Sequence, residues 1–166
     1  MPVPPDQYEA LLKRCGCKQR VIAHCRAVTD CALSLAGNSP LIDRDLVFTG
    51  AMLHDIGRGT THSLGHAQAG ADICRKLGFS ETVARIVECH TGAGITADEC
   101  SLLRLLPRDC MPRTAEEKLV THADNLVAGS RRTTIYETLA SAGHLNRKIR
   151  RRMYRLSLEV GMLCDC

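Results

Sequence analysis

The dipeptide His54-Asp55 places an imidazole beside a carboxylate, after an apolar stretch and before a loop rich in glycine and threonine. Both groups are good ligands for divalent metal ions. One such pair often arises by chance, so it carries little weight alone. Further candidate ligands stand on both sides of the pair: His24, His66, His90 and Asp124.

Each of these outlying candidates falls on the apolar side of an expected helix. His24 lies three residues after Val21 and four before Val28, which is the spacing of one helix face. A single histidine in such a position is more simply explained as a hydrogen-bonded core residue. A buried aspartate needs more, because an ionised carboxylate without a partner is costly to desolvate. The same helical spacing places His66, His90 and Asp124 on the apolar faces of their own expected helices.

A shared metal centre explains this set better than six coincidences. A cation compensates the burial of carboxylates and binds imidazoles in their neutral form. We therefore interpret the four histidines and two aspartates as ligands of one or two divalent transition-metal ions. Iron, manganese, nickel, cobalt and zinc all suit such ligands, and magnesium remains an alternative.

The composition favours an all-α protein, an irregular helical bundle. Of 166 residues, 45% are hydrophobic but only 3% are aromatic, and tryptophan is absent. This suits helices packed through leucine, valine, isoleucine and alanine. We expect a single domain over residues 1–166, with a core at about 20–127 and a C-terminal helical extension at about 141–163.

About eight helices and no convincing strand are expected. Asp43 and Ser80 can cap two of them, and glycines at 37 and 78 end the helices before these caps. Two Thr-x-x-Glu segments read as capping boxes, Thr96 with Glu99 and Thr114 with Glu117. The last helix is expected to run from about Ser141 to Leu163.

The ends of the chain suggest a soluble cytoplasmic protein. The first six residues have no apolar core and so do not resemble a signal peptide, and no long uncharged apolar run is present. Ten cysteines are then better explained as thiols than as disulfides. Cys15-Gly16-Cys17 and Cys164-Asp165-Cys166 could hold zinc if the termini met, although free thiols are favoured. The oligomeric state is left open.

The order of these ligands resembles the HD-domain superfamily of metal-dependent phosphohydrolases. The residues that carry the resemblance are His24, His54-Asp55 within His-Asp-Ile-Gly, and Asp124 within His-Ala-Asp-Asn-Leu. The likeness covers roughly Arg20 to Val127, and proteins of this superfamily are all-helical. It implies that His24, His54, Asp55 and Asp124 bind a first metal.

The two remaining histidines look like those of the binuclear branch of the superfamily. By that likeness His66 and His90 hold a second metal, and Asp55 bridges the two ions. His62 competes with His66, but His66 follows a glycine and opens an amphipathic helix, so it is preferred. The chain is similar to dinucleotide-polyphosphate hydrolases, cyclic-dinucleotide phosphodiesterases and, more nearly, small, mostly archaeal His-Asp-Ile-Gly proteins of undefined substrate.

Several departures from the superfamily leave the substrate open. The Glu-Asp pair of alarmone hydrolases is replaced by Arg58-Gly59-Thr60-Thr61, and no Gly-Tyr-Pro motif of the cyclic-di-GMP branch is present. The chain is also too short for the large deoxynucleotide triphosphohydrolases. The expected substrate is a phosphoester or a nucleotide phosphate.

Two metal ions held in this way would supply a hydroxide that attacks phosphorus. We expect Asp55 and Arg58 to be the catalytic residues. Arg58 and Lys118 are candidate phosphate ligands, and Thr61 or His62 are candidates to assist the leaving group.

Two alternatives remain. A mixed-valent di-iron oxygenase can use the same ligand set, and a non-catalytic module for nucleotides or RNA could retain it. The formal net charge is +4, and the last helix carries a run of arginines, so nucleic acid is a weakly supported partner. Because few aromatic residues interleave those arginines, a stacking platform for single strands is not expected.

Overall fold

The computed structural model describes residues 4–164, and over this range the predicted all-α class is confirmed. A 3₁₀ turn at Ile56–Gly59 follows α3, and two short antiparallel strands, β1 (Val127–Ala128) and β2 (Arg131–Arg132), form a hairpin after α7. The nine helices of the described range are α1 (Pro5–Arg14), α2 (Gln19–Ala36), α3 (Arg44–Leu53), α4 (His66–Lys76), α5 (Glu81–Cys89), α6 (Ala97–Leu102), α7 (Ala115–Asn125), α8 (Ile135–Ser141) and α9 (Arg147–Cys164).

The predicted helix starts are confirmed by side-chain caps. Asp43 accepts a hydrogen bond from the backbone N–H of Leu46, and Ser80 accepts one from Val83. The capping boxes that begin at Thr96 and Thr114 are both complete. Each cap satisfies backbone donors that would otherwise have no partner, which stabilises a helix by about 1 kcal/mol.

Helices α2 and α3 contribute to both hydrophobic clusters of the protein. One cluster contains Val28 of α2 and joins α7 and α9, and the other contains Ile22 of α2 and joins α1, α4 and α5. The thiols of Cys25, Cys31 and Cys74 lie in these clusters and are essentially inaccessible to solvent. A shift of α2 or α3 would therefore disturb both halves of the core.

Three features after α7 differ from the expectations. The hairpin turns at Gly129, whose φ of +64° is a left-handed conformation that glycine adopts freely. Helix α8 was missed, although Thr134 and Glu137 form a complete capping box there. The last helix begins at Arg147 rather than near Ser141. The segment was hard to interpret because α8 has seven residues and buries none of them.

The expectation of a single domain stays a prediction. So does the suggested zinc site of the two Cys-x-Cys elements, because Asp165 and Cys166 lie outside the described residues. Within the described part, Cys17 lies in the cluster with α1, whereas Cys164 packs against the cluster with α7.

None of the helices in residues 4–164 combines the length and the apolar character needed to cross a membrane.

Gly57 allows the 3₁₀ turn to lie directly against the start of α4. A β-carbon at this position would stand 1.9 Å from the carbonyl oxygen of His66 and 2.7 Å from the backbone nitrogen of Gly70. Both neighbours are backbone atoms, so neither can swing aside as a side chain would. The glycine of Asp-Ile-Gly thus allows α4 to begin directly against the turn.

We predict that Gly57→Ala lowers the free energy of unfolding by about 1–3 kcal/mol, because the added methyl group must push α4 away. Chemical denaturation in the presence of a chelator measures this without a contribution from metal loss. Gly161→Ala is the matched control, because its β-carbon meets no atom within 4 Å and alanine favours a helix. Equal stability of the Gly57→Ala protein and the wild type would contradict this account.

Candidate metal centre

Five separate segments bring the six predicted ligands together. His24 lies in the middle of α2, and His54 and Asp55 stand where α3 passes into the 3₁₀ turn. The other three lie at or near helix ends: His66 is the first residue of α4, His90 follows the last residue of α5, and Asp124 is next to last in α7.

Three of these residues form a first group around one carboxylate oxygen. Asp124 Oδ1 lies 2.9 Å from His24 Nε2 and 3.5 Å from His54 Nε2. One potential ligand atom from each residue lies within 4.8 Å of the others, which is close enough for a shared metal ion. The His54 side chain is fully buried, whereas the edge of the group at Asp124 is partly open.

A second group forms around Asp55. Its Oδ1 lies 3.1 Å from His66 Nε2 and 3.5 Å from His90 Nε2. The two imidazole nitrogens are themselves only 3.0 Å apart. All three side chains are buried or nearly so.

The two oxygens of Asp55 face different groups. While Oδ1 faces His66 and His90, Oδ2 lies 3.8 Å from His54 Nε2 and 4.0 Å from His24 Nε2. A carboxylate in this position can give one oxygen to each of two metal ions. The six side chains therefore form two groups that share Asp55.

The donor set fits a metal because all four histidines present the same nitrogen to it. Each ring approaches a backbone carbonyl oxygen through Nδ1, at 2.6–2.7 Å. If Nδ1–H donates this bond, the lone pair of a neutral ring is on Nε2, as in most metal-binding histidines. The acceptors are the carbonyls of Gly129 for His24, Ala51 for His54, Ser63 for His66 and Val87 for His90.

Two features of the cluster favour a bound cation. His54 Nε2 is buried without a hydrogen-bond partner, which is costly for a polar atom. His66 Nε2 and His90 Nε2 face each other, and two lone pairs at this distance repel unless a positive charge lies between them. A proton can serve one such contact, but the rings are crowded: His54 and His90 meet edge to face with centroids 4.9 Å apart, so several adjacent imidazolium ions would repel.

The electrostatics keep both carboxylates ionised. Burial disfavours the charged form of Asp55, but the imidazoles around it hold its pKa far below the usual range. For Asp124 too, the neighbouring imidazoles of His24 and His54 outweigh burial and lower the pKa. Burial lowers the pKa of His90. At His54 it acts in the same direction, but Cys25 and the two aspartates outweigh it and raise the pKa of this ring.

The sequence did not predict that Cys17 helps to hold the backbone of the site. Cys17 donates from its thiol to the carbonyl oxygen of Ile56 at 3.4 Å, which helps to hold the backbone after Asp55. Burial raises the pKa of the Cys17 thiol to about 11, so it stays protonated and able to donate. No local pattern in the sequence relates these residues, because the contact spans 39 positions.

Arg58 is the predicted phosphate ligand that lies at the site. Its Nε donates to Asp55 Oδ1 at 3.2 Å, and its Nη1 donates to the carbonyl oxygen of His62 at 2.8 Å. The imidazole of His62 is exposed, and the Thr61 hydroxyl lies 3.1 Å from that of Ser63. Of the four candidates for substrate binding, Arg58 is the one that hydrogen-bonds to the side chain of a predicted metal ligand within the described residues.

Lys118 is engaged elsewhere. Its ammonium group lies 3.1 Å from Glu159 Oε2 on α9, so its contacts give no support to the expected role in binding phosphate. The periodicity of α7 did not reveal this partner, because Glu159 approaches from a helix that is distant in the sequence. His122, another residue of α7, is buried, and burial lowers its pKa to about 4.

A cavity beside Asp124 reveals residues that the sequence analysis did not select. Its volume is about 420 Å³, and its walls come from the end of α7, the hairpin and α8. Arg131 and His144 contribute cationic or potentially cationic groups to it, and Asn125 borders it while donating to Gly92 O at 2.6 Å. Asn125 follows Asp124 directly in the sequence, whereas the fold after α7 brings Arg131 and His144 to the cavity, so their spacing gave no indication of this role.

Comparison with known proteins now identifies the family. The family model of the HD domain matches residues 21–129, which include all six clustered residues. The chain belongs to the HD domain family. The predicted resemblance is thereby confirmed, and a divalent metal ion is the expected ligand of an HD domain at this position.

Relatives of this HD protein carry different names. An uncharacterized protein of Methanocaldococcus jannaschii is 46% identical over 127 residues, which cover 74% of this chain and 75% of that protein. The tRNA (cytidine(56)-2'-O)-methyltransferase of Picrophilus torridus is 46% identical over 126 residues, 76% of this chain but only 37% of the relative. Ribonuclease Y of Acidothermus cellulolyticus is 33% identical over 102 residues, 60% of this chain and 17% of the relative. No solved structure matches the chain.

We predict that the protein binds two equivalents of a transition metal and that His66→Ala with His90→Ala reduces this to about one. The reason is that the pair supplies two of the ligands of the group around Asp55, while the group around Asp124 stays intact. Elemental analysis of protein purified without oxygen or chelator measures the ratio of metal to chain. His62→Ala, an exposed histidine of the neighbouring loop, is the control and should keep two equivalents. An unchanged ratio in the double variant would remove His66 and His90 from the centre.

Proposed function

We propose that this HD protein is a metal-dependent phosphohydrolase with a binuclear centre. The observation that carries the proposal is the position of Asp55, whose two oxygens face two separate groups of imidazoles. Membership of the HD family supports metal-dependent phosphate chemistry. In this proposal His24, His54 and Asp124 would hold one ion, His66 and His90 would hold the other, and Asp55 would be a ligand of both.

When bound, the metal ions supply a hydroxide near neutral pH and neutralise charge on the phosphoryl oxygens. The protein's own contribution is to orient the ligands. Each Nδ1 hydrogen bond fixes the rotation of its imidazole, and burial of His54, His66 and His90 excludes water from the inner side. The open side at Asp124 and its cavity is then the route for substrate.

Arg58 is proposed to position the substrate. Its side chain is about one third exposed and its guanidinium already donates to the carboxylate of Asp55, so it can offer its remaining N–H groups to a phosphate at the same place. Arginine suits this role because its planar fork matches the spacing of two phosphate oxygens. Thr61 and His62 belong to the same loop, and we propose that one of them assists departure of the leaving group.

The proposed substrate is a phosphoester, and RNA or a nucleotide phosphate is the class we favour. Two of the named relatives carry RNA-related names, a tRNA methyltransferase and a ribonuclease. The chain spans little more than a third of that methyltransferase and about a sixth of that ribonuclease, so the activity of neither whole protein is assigned to it. What supports hydrolysis is the arrangement of the ligands together with the family.

We predict that Arg58→Ala raises the KM for a phosphodiester substrate about tenfold or more and leaves the metal content unchanged. A charged hydrogen bond to phosphate is worth about 1.5–3 kcal/mol, and Arg58 is not needed as a ligand. Steady-state hydrolysis of bis(p-nitrophenyl) phosphate, followed by absorbance, measures KM and kcat separately. Arg58→Lys should recover part of the loss, and Lys118→Ala should behave as the wild type because Lys118 pairs with Glu159.

Two results would contradict the proposed role and function. If Arg58→Ala loses metal, the residue supports the centre rather than the substrate. If fully metallated wild-type protein hydrolyses no phosphodiester, phosphomonoester or dinucleotide polyphosphate, the phosphohydrolase proposal is wrong. Oxygen uptake by the iron-loaded protein would then favour the oxygenase.

A further inference from the structure

Two tyrosines that are distant in the sequence form an exposed aromatic pair. Tyr136 of α8 and Tyr154 of α9 have ring centroids 6.5 Å apart and an angle of 46° between the rings. Tyr136 is 70% exposed and Tyr154 is 40% exposed. Neither ring is fully buried in the hydrophobic core, and none of the residues of α8 is buried.

Arginines of α9 share the exposed face with Tyr154. The buried face of α9 consists of Met153, Leu156 and Val160. On a helix of 3.6 residues per turn, the opposite face contains Tyr154 together with three exposed arginines. These are Arg147, Arg151 and Arg155.

The charge of this face is not neutralised within the described part of the chain. The only acidic residue in α9 is Glu159, and it pairs with Lys118. Arg152 points to the other side and pairs with Glu99. In residues 4–164, no ion pair of 4.0 Å or less involves Arg147, Arg151 or Arg155.

Helix α8 also lines the cavity beside the candidate metal centre. Glu137, Thr138 and Ser141 of α8 line the same cavity as Asp124, and Arg131 and His144 line it as well. One short helix thus supplies both a wall of this cavity and the ring of Tyr136. Because Tyr136 lies on the side of α8 opposite these lining residues, a strand on the tyrosine pair must be long enough to cross the helix, about 10 Å wide, for a neighbouring segment to reach the cavity.

We propose that the face formed by Tyr136, Tyr154, Arg147, Arg151 and Arg155 binds a single-stranded polynucleotide and presents it to the metal centre. Bases stack on exposed aromatic rings without a requirement for sequence, while arginines bind the phosphates. A duplex offers no free base faces, so it lacks half of this interaction. The inference rests on the proposed function and names its substrate as a polymer rather than a mononucleotide.

The pair could not be recognised in the sequence. Tyr136 and Tyr154 are 18 positions apart, and the basic run of α9 contains one aromatic residue only. The expectation that no stacking platform exists is therefore replaced by this proposal. What creates the platform is the packing of α8 against α9.

Binding is tested by fluorescence anisotropy with labelled single strands of roughly 12 nucleotides, in the presence of a chelator so that no strand is cleaved. RNA, DNA of the same sequence and the corresponding RNA duplex are compared. Tyr136→Ala with Tyr154→Ala should weaken single-strand binding by about 5- to 150-fold for each stacked base lost. Tyr154→Phe should retain binding, and Leu41→Ala, an exposed apolar residue on another surface, is the control.

The salt dependence tests the arginines. Removal of three phosphate contacts from a single strand should make the slope of log K against log salt shallower by about 2. The triple variant Arg147→Ala, Arg151→Ala and Arg155→Ala should show this, whereas Lys13→Ala, Arg14→Ala and Arg20→Ala, exposed cations on another surface, should leave the slope nearly unchanged. Unchanged binding in the tyrosine variant, equal affinity for duplex, or a flat salt response would each overturn the proposal.

Hydrolysis of bis(p-nitrophenyl) phosphate separates this inference from the proposed function. A small diester needs no stacking platform, so the tyrosine variant should hydrolyse it as the wild type does. If the wild type hydrolyses the small diester but binds no single strand, the surface proposal fails and the phosphohydrolase stands. If strands bind through the tyrosines but nothing is hydrolysed, only the surface proposal survives.

Discussion

Two carboxylates held among four imidazole rings are the constraint on which the rest of this structure depends. With each Nδ1 donating to a backbone carbonyl, the free electron pairs of the rings converge on Asp55 and Asp124. Such a cluster is stable only with positive charge inside it. Protons alone would place several imidazolium ions within 5 Å of one another, as the separation of His54 and His90 shows. Divalent ions bound to neutral rings remove this conflict.

The ends of the helices hold the candidate metal-binding side chains in place, as does the hydrophobic core. His54, His66 and His90 stand at helix boundaries, where the carbonyl three residues earlier accepts the Nδ1 hydrogen bond. The turn after Asp55 can pass close to α4 because Gly57 has no side chain. Helices α2 and α3 contribute to both hydrophobic clusters, so the site is fixed to the most extensively packed part of the molecule.

The sequence predicted the helices and the ligands that have local signatures. The capping boxes at Thr96 and Thr114 and the spacing around His24 are properties of a few neighbouring residues, and the structure reproduces the caps. Helix α8 was not predicted because it is short and buries no residue, so its sequence lacks a periodic pattern of apolar residues. The partner of Lys118 and the contact between Tyr136 and Tyr154 arise from packing between distant segments, which no local pattern encodes. How the six candidate ligands actually share metal ions is a further step, and it stays a prediction.

The most direct test is a crystal structure of the metal-loaded protein with anomalous diffraction data collected at the absorption edge of the bound metal. The account predicts two anomalous peaks about 3.5–4 Å apart, as in other two-metal sites. One should lie between His24, His54 and Asp124, the other beside His66 and His90, with Asp55 ligating both. A single peak in the first group would reduce the centre to a mononuclear site. Peaks away from these six side chains would contradict the account.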